Sequence, residues 1–287
     1  MRAGRVIDGA QPLLVVQRDG DWFPVEASQI SLLDVLTADG NPPRLATNPF
    51  AGERRPAVPL RPARNVMCLG KNFRAHAVEF AAYNSESASE AVPADPIVFT
   101  KAPEALCGAN DTIEVRRAVG SSLDYEAELA VVIARDGAAI PAKDALAYVA
   151  GYTVLNDVTA RDLQERHRQW FLGKSLPSAT PIGPVVVTPD ELGDLANLRI
   201  TCQVNGELRQ SARLGDMIFG VEETIAVISA IVPLRRGDII SMGTPSGVGI
   251  GFDPPRFLEH GDTVVCAIEG IGELRNAVRL VGREDRM

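Results

Sequence analysis

The chain alternates short apolar runs with turn-forming residues, a pattern that predicts many strands and few helices. Positions 129–133 form an apolar, β-branched run with no helical period, which is typical of a buried strand. Asn205-Gly206 separates two further runs and predicts a hairpin with a type I′ turn. Strands are predicted in the same way at 65–69, 97–100, 151–155, 185–187, 200–204, 207–210, 238–241, 263–268 and 273–281.

Helices are predicted at fewer places. Apolar residues at 221, 225, 228 and 232 recur at helical spacing and predict a helix over 221–231. Other helices are expected at 73–83, 142–149 and, with polar composition, 159–169. Because long β–α alternation is absent, an α+β fold that is mostly β and mostly antiparallel fits better than a doubly wound sheet.

The composition of the chain changes twice, which predicts domains and loops. Residues 52–64 are rich in Pro and Arg and are interpreted as a linker, so we expect a small β-rich N-terminal domain at 1–60 and a larger body at 61–287. Residues 84–95 are rich in Ser, Ala and Glu without apolar period, and we expect a mobile loop there.

Charge and cysteine usage exclude several classes of function. The net charge of −8, with no basic stripe, argues against a nucleic-acid partner. No apolar run is long enough to span a membrane, and no secretory signal is visible, so a cytoplasmic protein without membrane contact is expected. The four cysteines are widely spaced, which predicts reduced, buried thiols rather than a zinc site.

Glu126 and Glu128 are the first candidates for chemistry. Side chains two positions apart on a strand project from the same face, so the two carboxylates lie side by side and repel each other. A divalent cation removes that conflict, and oxygen ligands suit Mg²⁺, Mn²⁺ or Ca²⁺. The alternative is a pair of solvated acids on the open face of an antiparallel strand.

Asp157 is the third candidate acid, because it follows the strand predicted at 151–155. A carboxylate at a strand end can reach the face of a neighbouring strand and complete an oxygen cage with Glu126 and Glu128. The alternative role is the N-cap of the helix that follows, which is common for Asp.

The sequence around these acids resembles the fumarylacetoacetate hydrolase family, and the likeness runs from residue 65 to about 280. The run Asp124-Tyr125-Glu126-Ala127-Glu128 and the later Asn156-Asp157-Val158-Thr159-Ala160-Arg161 carry it. Further matches are Gly173-Lys174-Ser175, Pro181-Ile182-Gly183-Pro184, the Gly-Thr-Pro-Ser-Gly-Val-Gly run at 243–249, and Gly70-Lys71-Asn72-Phe73-Arg74-Ala75-His76, which is similar to the family's Gly-x-Asn-Tyr-x-x-His element.

The resemblance implies a fold, a metal and a partner. It implies the mixed β-sandwich roll of the family's C-terminal domain and a homodimer. Glu126, Glu128 and Asp157 match the family's ligands for Mg²⁺ or Mn²⁺, and Ca²⁺ is a further possibility. The substrates implied are small keto acids, which chelate a divalent ion through adjacent oxygens while the metal withdraws electron density from a developing enolate.

The resemblance also implies roles in substrate binding. Lys174 matches a lysine that contacts the substrate and supports the charge of its carboxylate or enolate. Arg161 and Gln164 fall where the family lines its pocket with polar contacts, and Thr244 matches a residue that binds the acid end of the substrate. Lys174 as a solvated turn lysine, and Arg161 paired with Asp157 or Asp162, are the alternatives.

His76 and Glu79 match a His–Glu pair on a segment that orders over bound substrate. Histidine titrates near neutrality, and Glu79, three residues on, shares its helical face, so the pair could take a proton from water and pass it on. An exposed surface histidine is the alternative. The chain departs from the family at Pro177, where an Asp is usual and Ser178 is the candidate replacement, and at Ala102-Pro103-Glu104.

The sequence thus predicts a metal-dependent hydrolase that cleaves a carbon–carbon bond in an acylpyruvate-like β-diketo acid. Two alternatives stay open. The same metal site could serve a decarboxylase or a keto–enol isomerase, or the chain could be a catalytically silent metal-binding homologue. Neither the substrate nor the preferred metal follows from the sequence.

Overall fold

The computed structural model of the chain describes residues 1–9, 11–26, 30–38, 43–52, 55–83 and 91–282. The strands are β1 Arg2–Asp8, β2 Gln11–Arg18, β3 Asp21–Pro24, β4 Val66–Gly70, β5 Ile97–Lys101, β6 Leu106–Cys107, β7 Thr112–Arg116, β8 Leu123–Asp124, β9 Ala127–Ile133, β10 Val149–Asn156, β11 Thr159–Ala160, β12 Thr180–Val187, β13 Arg199–Val204, β14 Glu207–Arg213, β15 Ile239–Ser241, β16 Thr263–Ile268 and β17 Gly272–Val281. The α-helices are α1 Leu32–Leu36, α2 Arg74–Tyr83, α3 Arg161–His167, α4 Phe171–Lys174 and α5 Val221–Ile231.

The larger sheet has the strand order β3-β2-β1-β12-β10-β9-β15-β4-β5, and β6 pairs with β12 beside this path. β9 and β10 lie in its middle and are buried along their whole length, which explains their continuous apolar runs. Their antiparallel register sets Leu155 opposite Glu128 and Asn156 opposite Ala127. The end of β10, which Asp157 follows, therefore lies beside the start of β9, which Glu126 precedes.

The second sheet has the order β14-β13-β16-β17-β7 and packs against the first. One apolar cluster joins Val131 and Tyr152 of the larger sheet to Cys202 and Cys266 of the smaller one. Burial alternates along β7 and β17, so the outer face of this sheet meets solvent. Most strand pairs are antiparallel, but β4–β15, β6–β12 and β7–β17 are parallel. The prediction of a mostly β, α+β fold with a mixed sandwich is confirmed.

Local elements follow the sequence pattern closely where it is strongest. The helix predicted at 221–231 and the strand predicted at 263–268 have the predicted bounds. Asn205 and Gly206 both have positive φ, as a type I′ turn requires. Two helix predictions are too long or of the wrong type: Ala142–Tyr148 is a 3₁₀ helix. The predicted helix at 159–169 is only α3, because Thr159–Ala160 pairs with β8 instead.

The N-terminal strands extend the larger sheet. β1 pairs antiparallel with β12, and Arg2 to Gly4 lie opposite Val187 to Val185. The division of the chain into domains at residue 60 stays a prediction. Residues 84–90 of the predicted loop, and residues 53–54 of the predicted linker, lie outside the described residues.

Two further features of the described chain concern its cysteines and its helices. All four cysteines are buried and free. None of the helices in the described ranges combines the length and the apolar character that a membrane crossing needs.

Candidate metal centre and active site

Glu126, Glu128 and Asp157 converge at the middle of the larger sheet. Each offers one carboxylate oxygen, and these three oxygens lie within 4.8 Å of one another. The backbone fixes the convergence: the Asp157 N–H donates to the Glu126 carbonyl at 2.8 Å, and the Glu126 N–H donates to Oδ1 of Asn156 at 3.0 Å. All three acids are buried, so the alternative of solvated acids on an open strand face is wrong.

Two buried lysines reach the acids. Nζ of Lys174 donates to Oε2 of Glu126 at 2.9 Å and to Oδ2 of Asp157 at 2.7 Å. Nζ of Lys101 donates to Oδ1 of Asp157 at 2.6 Å and to the carbonyl of Val158 at 3.0 Å. Asp157 therefore bonds both lysines and does not cap α3, whose N-cap is Ala160. The cap alternative is wrong, and so is that of a solvated turn lysine at Lys174.

Arg161 supplies a third cation. Its Nη2 lies 2.8 Å from Asp124 and 2.7 Å from Glu126, and its Nη1 donates to Oε1 of Gln164 at 3.0 Å. The pairings suggested from helical spacing, with Asp157 or Asp162, are therefore wrong. The hydrogen bonds of Asp124 to the N–H groups of Gly249 and Ile250 tie this arginine to the Gly-rich loop.

The surroundings shift the pKa values of Glu126 and Glu128 in opposite directions. Burial opposes charge on Glu126, but Lys174, Arg161 and His76 outweigh it and lower the pKa of Glu126 to about 2. Burial, together with the negative charges of Asp157 and Glu126, raises the pKa of Glu128 well above its usual value. For Lys174, burial disfavours the ammonium, but the acids reverse this and raise its pKa. Of the two glutamates, Glu128 is thus the one whose negative charge is compensated less by neighbouring cations.

Glu128 is held by two donors that use the same oxygen. The Ser241 hydroxyl donates to Oε2 at 2.5 Å, and the Gly243 N–H donates to it at 3.0 Å. Gly243 has φ +86°, and a side chain there would meet Cβ of Asn72 at 2.7 Å, so glycine is required for this close approach. The shared use of Oε2 permits Oε1 to face a cation.

The three acids fit a divalent metal ion. They form an all-oxygen donor set, which hard cations prefer. No Lys or Arg within the described ranges forms a salt bridge with Glu128, although the carboxylate is 1% exposed. A buried carboxylate without a cationic partner is costly, and a divalent ion among the three oxygens would supply the missing charge. Glu126, Glu128 and Asp157 are therefore the residues that could hold such an ion.

His76 and Glu79 lie together on α2 beside the acids. Nδ1 of His76 lies 3.2 Å from Oε2 of Glu79. The other oxygen of Glu79 accepts the N–H of Gly247 at 2.9 Å, which ties the pair to the Gly-rich loop. His76 is only 5% exposed, so the alternative of a surface histidine is wrong.

One cavity joins Glu126, Glu128, Arg161 and Lys174 to His76. Charged and polar side chains line it on several sides, and the rings of Phe80, Phe99 and Trp170 form part of its wall. The Trp170 ring meets Phe99 edge-on, with centroids 5.2 Å apart. The lining residues are Leu69, Gly70, Lys71, His76, Phe80, Phe99, Glu126, Glu128, Arg161, Gln164, Trp170, Lys174 and Thr244.

Thr244 and Gln164 line the cavity as expected, while no hydrogen bond joins Ser178 to Lys174 among the described residues. The Thr244 hydroxyl donates to the Ala127 carbonyl at 3.0 Å and accepts from Nε2 of Gln210 at 2.9 Å. Ser178 instead bonds the backbone of Glu114. It therefore does not replace the family's Asp, and the roles of Thr244 and Gln164 in substrate binding stay predictions.

Sequence reasoning missed the residues that support the acids. Lys101 and Ser241 are fully buried and bonded to Asp157 and Glu128, yet neither stands in a recognisable motif. Asp124, which is also buried and accepts a hydrogen bond from Arg161, stands in the run that carries the family likeness but was given no role. The available signal was a charged or polar residue at the inner end of an apolar strand, as for Lys101 after 97–100 and Ser241 at the end of 238–241.

Comparison with known proteins agrees with this arrangement. The family model described as fumarylacetoacetate (FAA) hydrolase C-terminal matches residues 65–279. The chain belongs to the fumarylacetoacetate hydrolase family. It is 48% identical over 219 residues to oxaloacetate tautomerase YisK of Bacillus subtilis (strain 168), a match that covers 76% of this chain and 70% of that protein.

Solved structures of family members share the whole architecture. A fumarylacetoacetate hydrolase from psychrophilic Exiguobacterium antarcticum is 36% identical, with a TM-score of 0.86 over 98% of this chain and 100% of that one. A 2-hydroxyhepta-2,4-diene-1,7-dioate isomerase from Mycobacterium marinum is 32% identical, with a TM-score of 0.78 over 99% and 100%. Hydrolase and isomerase names both occur among these relatives, so family membership does not by itself decide the reaction.

Proposed function

We propose that the protein is a divalent-metal-dependent enzyme that interconverts the keto and enol forms of a short 2-oxo acid. The observation that carries this proposal is a cavity lined by Glu126, Glu128 and His76. Asp157 lies beside the two glutamates, and Glu79 pairs with His76. Tautomerisation needs polarisation of the oxo group and a base that moves a proton on the adjacent carbon. The cavity offers groups for both.

Each residue around the cavity has a distinct role in the proposed tautomerisation. A divalent cation held by the three acids would polarise the 2-oxo group and acidify the adjacent C–H bond. With Nδ1 of His76 donating to Glu79, Nε2 is the nitrogen that removes the proton and returns it. Lys174 offsets the negative charge on the enolate oxygen. Arg161 holds Glu126 ionised, so that it keeps its charge for the cation.

The lining of the cavity supports a short substrate. The rings of Phe80, Phe99 and Trp170 form part of its wall beside the acids, and they favour a compact ligand. The similarity to an oxaloacetate tautomerase favours the same reaction class. Mg²⁺ is our proposal for the cation, with Mn²⁺ as its substitute.

The test follows the enol absorbance of freshly dissolved oxaloacetate in Mg²⁺ buffer. We expect the protein to speed the approach to keto–enol equilibrium without forming pyruvate, and added chelator to abolish the effect. Pyruvate and CO₂ formed at the rate of enol loss would contradict tautomerisation and would indicate a decarboxylase. An unchanged rate of approach, with metal bound, would favour a silent homologue.

Hydrolysis of a carbon–carbon bond in an acylpyruvate is the second candidate function. The observation that favours it is the rigid attachment of His76 to Glu79, and of Glu79 to Gly247, which suits activation of a water molecule. Incubation with acetylpyruvate and Mg²⁺ should then yield pyruvate and acetate. Loss of the enol signal without these products would leave tautomerisation as the activity.

A further inference from the structure

The turn between β4 and α2 carries a lysine at the wall of the cavity. Lys71 lines the same cavity as Glu126, Glu128 and His76. Its backbone has φ +55°, a left-handed conformation that residues other than glycine adopt infrequently. It also occupies the x position of the Gly-x-Asn element. An unfavourable backbone conformation at a cavity wall persists only where the surroundings hold it.

Asn72 holds this turn in place. Its side-chain amide donates to the carbonyls of Phe219 at 3.1 Å and Met242 at 2.7 Å, and its Oδ1 accepts the N–H of Phe219 at 2.8 Å. Asn72 itself is fully buried. The three hydrogen bonds tie the turn to two distant segments, so the position of Lys71 at the cavity wall is fixed by the fold rather than by local preference.

The side chain of Lys71 extends along the α2 wall of the cavity. Its Nζ lies 5.1 Å from the centroid of the Phe80 ring, within the range of a cation–π contact. The centroid of the Phe80 ring is 6.2 Å from that of the His76 ring. The Lys71 ammonium therefore lies at the end of the cavity where His76 and Glu79 lie. Arg161 and Lys174 lie at the other end of the cavity, where both form salt bridges with Glu126.

A second carboxylate on a substrate would need a cation at the end of the cavity where His76 lies. The chain has a net charge of −8, and the buried acids Glu126 and Glu128 line the cavity, so a dianionic ligand gains nothing from the long-range field. The acids would hold the metal ion that binds the 2-oxo acid unit. The opposite end of the same cavity, at the α2 wall, would then receive the rest of a short substrate.

We propose that Lys71 binds the second carboxylate of a 2-oxo dicarboxylic acid and so selects dicarboxylates over monocarboxylates of the same length. The proposal rests on the proposed function insofar as the substrate is a short 2-oxo acid. It makes Lys71 a specificity-determining residue, distinct from Lys174, which serves the oxo group.

Oxaloacetate and 2-oxobutanoate provide a matched pair of ligands. Both have four carbons and the same 2-oxo acid unit, and they differ only in the terminal carboxylate or methyl group. Binding to the Mg²⁺-loaded protein is measured by calorimetry, and enolisation by exchange of the C3 protons in D₂O. Wild-type protein is expected to prefer oxaloacetate in both measurements.

Lys71→Met should raise the Kd and KM for oxaloacetate about tenfold or more, the usual effect of losing a hydrogen bond to a charged group. The preference for oxaloacetate over 2-oxobutanoate should fall by the same factor. Lys71→Asn removes the charge but tolerates positive φ, so it separates loss of charge from loss of the turn. Lys71→Arg should retain most of the preference. Lys143→Met, at an exposed lysine of the 3₁₀ helix, is the control.

The outcomes are separable. An equal loss of affinity for both ligands in Lys71→Met and Lys71→Asn, or no loss for either, would overturn the role of Lys71. If wild-type protein binds oxaloacetate with the expected preference but exchanges no C3 protons, the proposed reaction fails while the assignment of Lys71 stands. If the preference persists in Lys71→Asn, the terminal carboxylate is bound elsewhere.

Discussion

The two ends of the cavity are built differently. At the acid end, Glu126, Glu128 and Asp157 come from the central strands β9 and β10 or their ends, and buried partners hold each one. At the other end, His76 and Glu79 lie on a short helix at the cavity wall, and Lys71 lies on the turn before it. The acid end is part of the core of the sandwich, whereas the α2 end packs on it.

This structural difference leads us to expect different roles for the two ends of the cavity. Three acids in the middle of a sheet cannot move without disturbing the core, which suits the binding of an ion in fixed geometry. Side chains on a helix and a turn at the cavity wall can be substituted with little disturbance of the core packing. We therefore expect the acid end to fix the type of chemistry and the α2 end to fix proton transfer and substrate choice.

Glu128→Gln should have the largest effect on metal binding, and that effect should be confined to the acid end. The Kd for Mn²⁺, measured by calorimetry, should rise by at least about 100-fold, since even outer-shell changes approach that value. Burial and the neighbouring acids raise the pKa of Glu128 by disfavouring its charge, so the neutral variant without metal should melt no lower than wild type. Glu114→Gln, at an exposed acid on β7, is the control. An unchanged Kd for Mn²⁺ would remove Glu128 from the site.

His76→Ala tests the α2 end alone. Loss of a positioned acid–base group should lower kcat about 10²- to 10⁴-fold. The Kd for Mn²⁺ should stay within a factor of about two of wild type, because the ring is not part of the acid cluster. His167→Ala, at an exposed histidine of α3, should behave as wild type. A comparable loss of metal affinity in His76→Ala would mean that the two ends are not separable.

Ser241→Ala sharpens the comparison by weakening the acid end without removing an acid. It deletes the 2.5 Å hydrogen bond to Oε2 of Glu128 and leaves the bond from Gly243. The Kd for Mn²⁺ should rise about tenfold, the lower range for loss of an outer-shell partner. Ser211→Ala, on an exposed position of β14, is the matched control. Unchanged metal affinity would show that Gly243 alone orients Glu128.

Trp170→Phe should have the smallest effect, and only on substrate choice. Phenylalanine keeps an aromatic ring near Phe99 but withdraws the part of the indole that covers Gly70, where an added Cβ would lie 2.4 Å from Cζ3. We expect about a threefold loss in kcat/KM for oxaloacetate, and a relative gain for longer acylpyruvates, from the looser wall. Kinetics with both substrates checks this. A tenfold change in metal affinity would contradict it.

Much of the acid end was predictable because its signals are local. The two-residue period of a strand places Glu126 and Glu128 on one face, and the family pattern adds Asp157. The same kind of local pattern gave the helix at 221–231 and the hairpin at Asn205-Gly206. Each depends only on neighbours in the chain, so it is visible in one sequence.

The partners of these residues were not predictable, because strand order decides them. Helical spacing suggested Asp157 or Asp162 for Arg161, but the fold brings it to Asp124 and Glu126. Ser178 was a candidate replacement near Lys174, but it bonds the backbone of Glu114. In each case a local rule was applied to a contact that depends on how distant strands pair.

The sequence by itself determined the strand-rich fold, the shared face of Glu126 and Glu128, and the family. The tertiary structure decided which charges meet. Lys101 reaches Asp157 across 56 positions and Ser241 reaches Glu128 across 113. Periodicity is a property of adjacent residues, whereas these contacts require β9 to lie between β10 and β15 in the sheet, an order that a single sequence does not display.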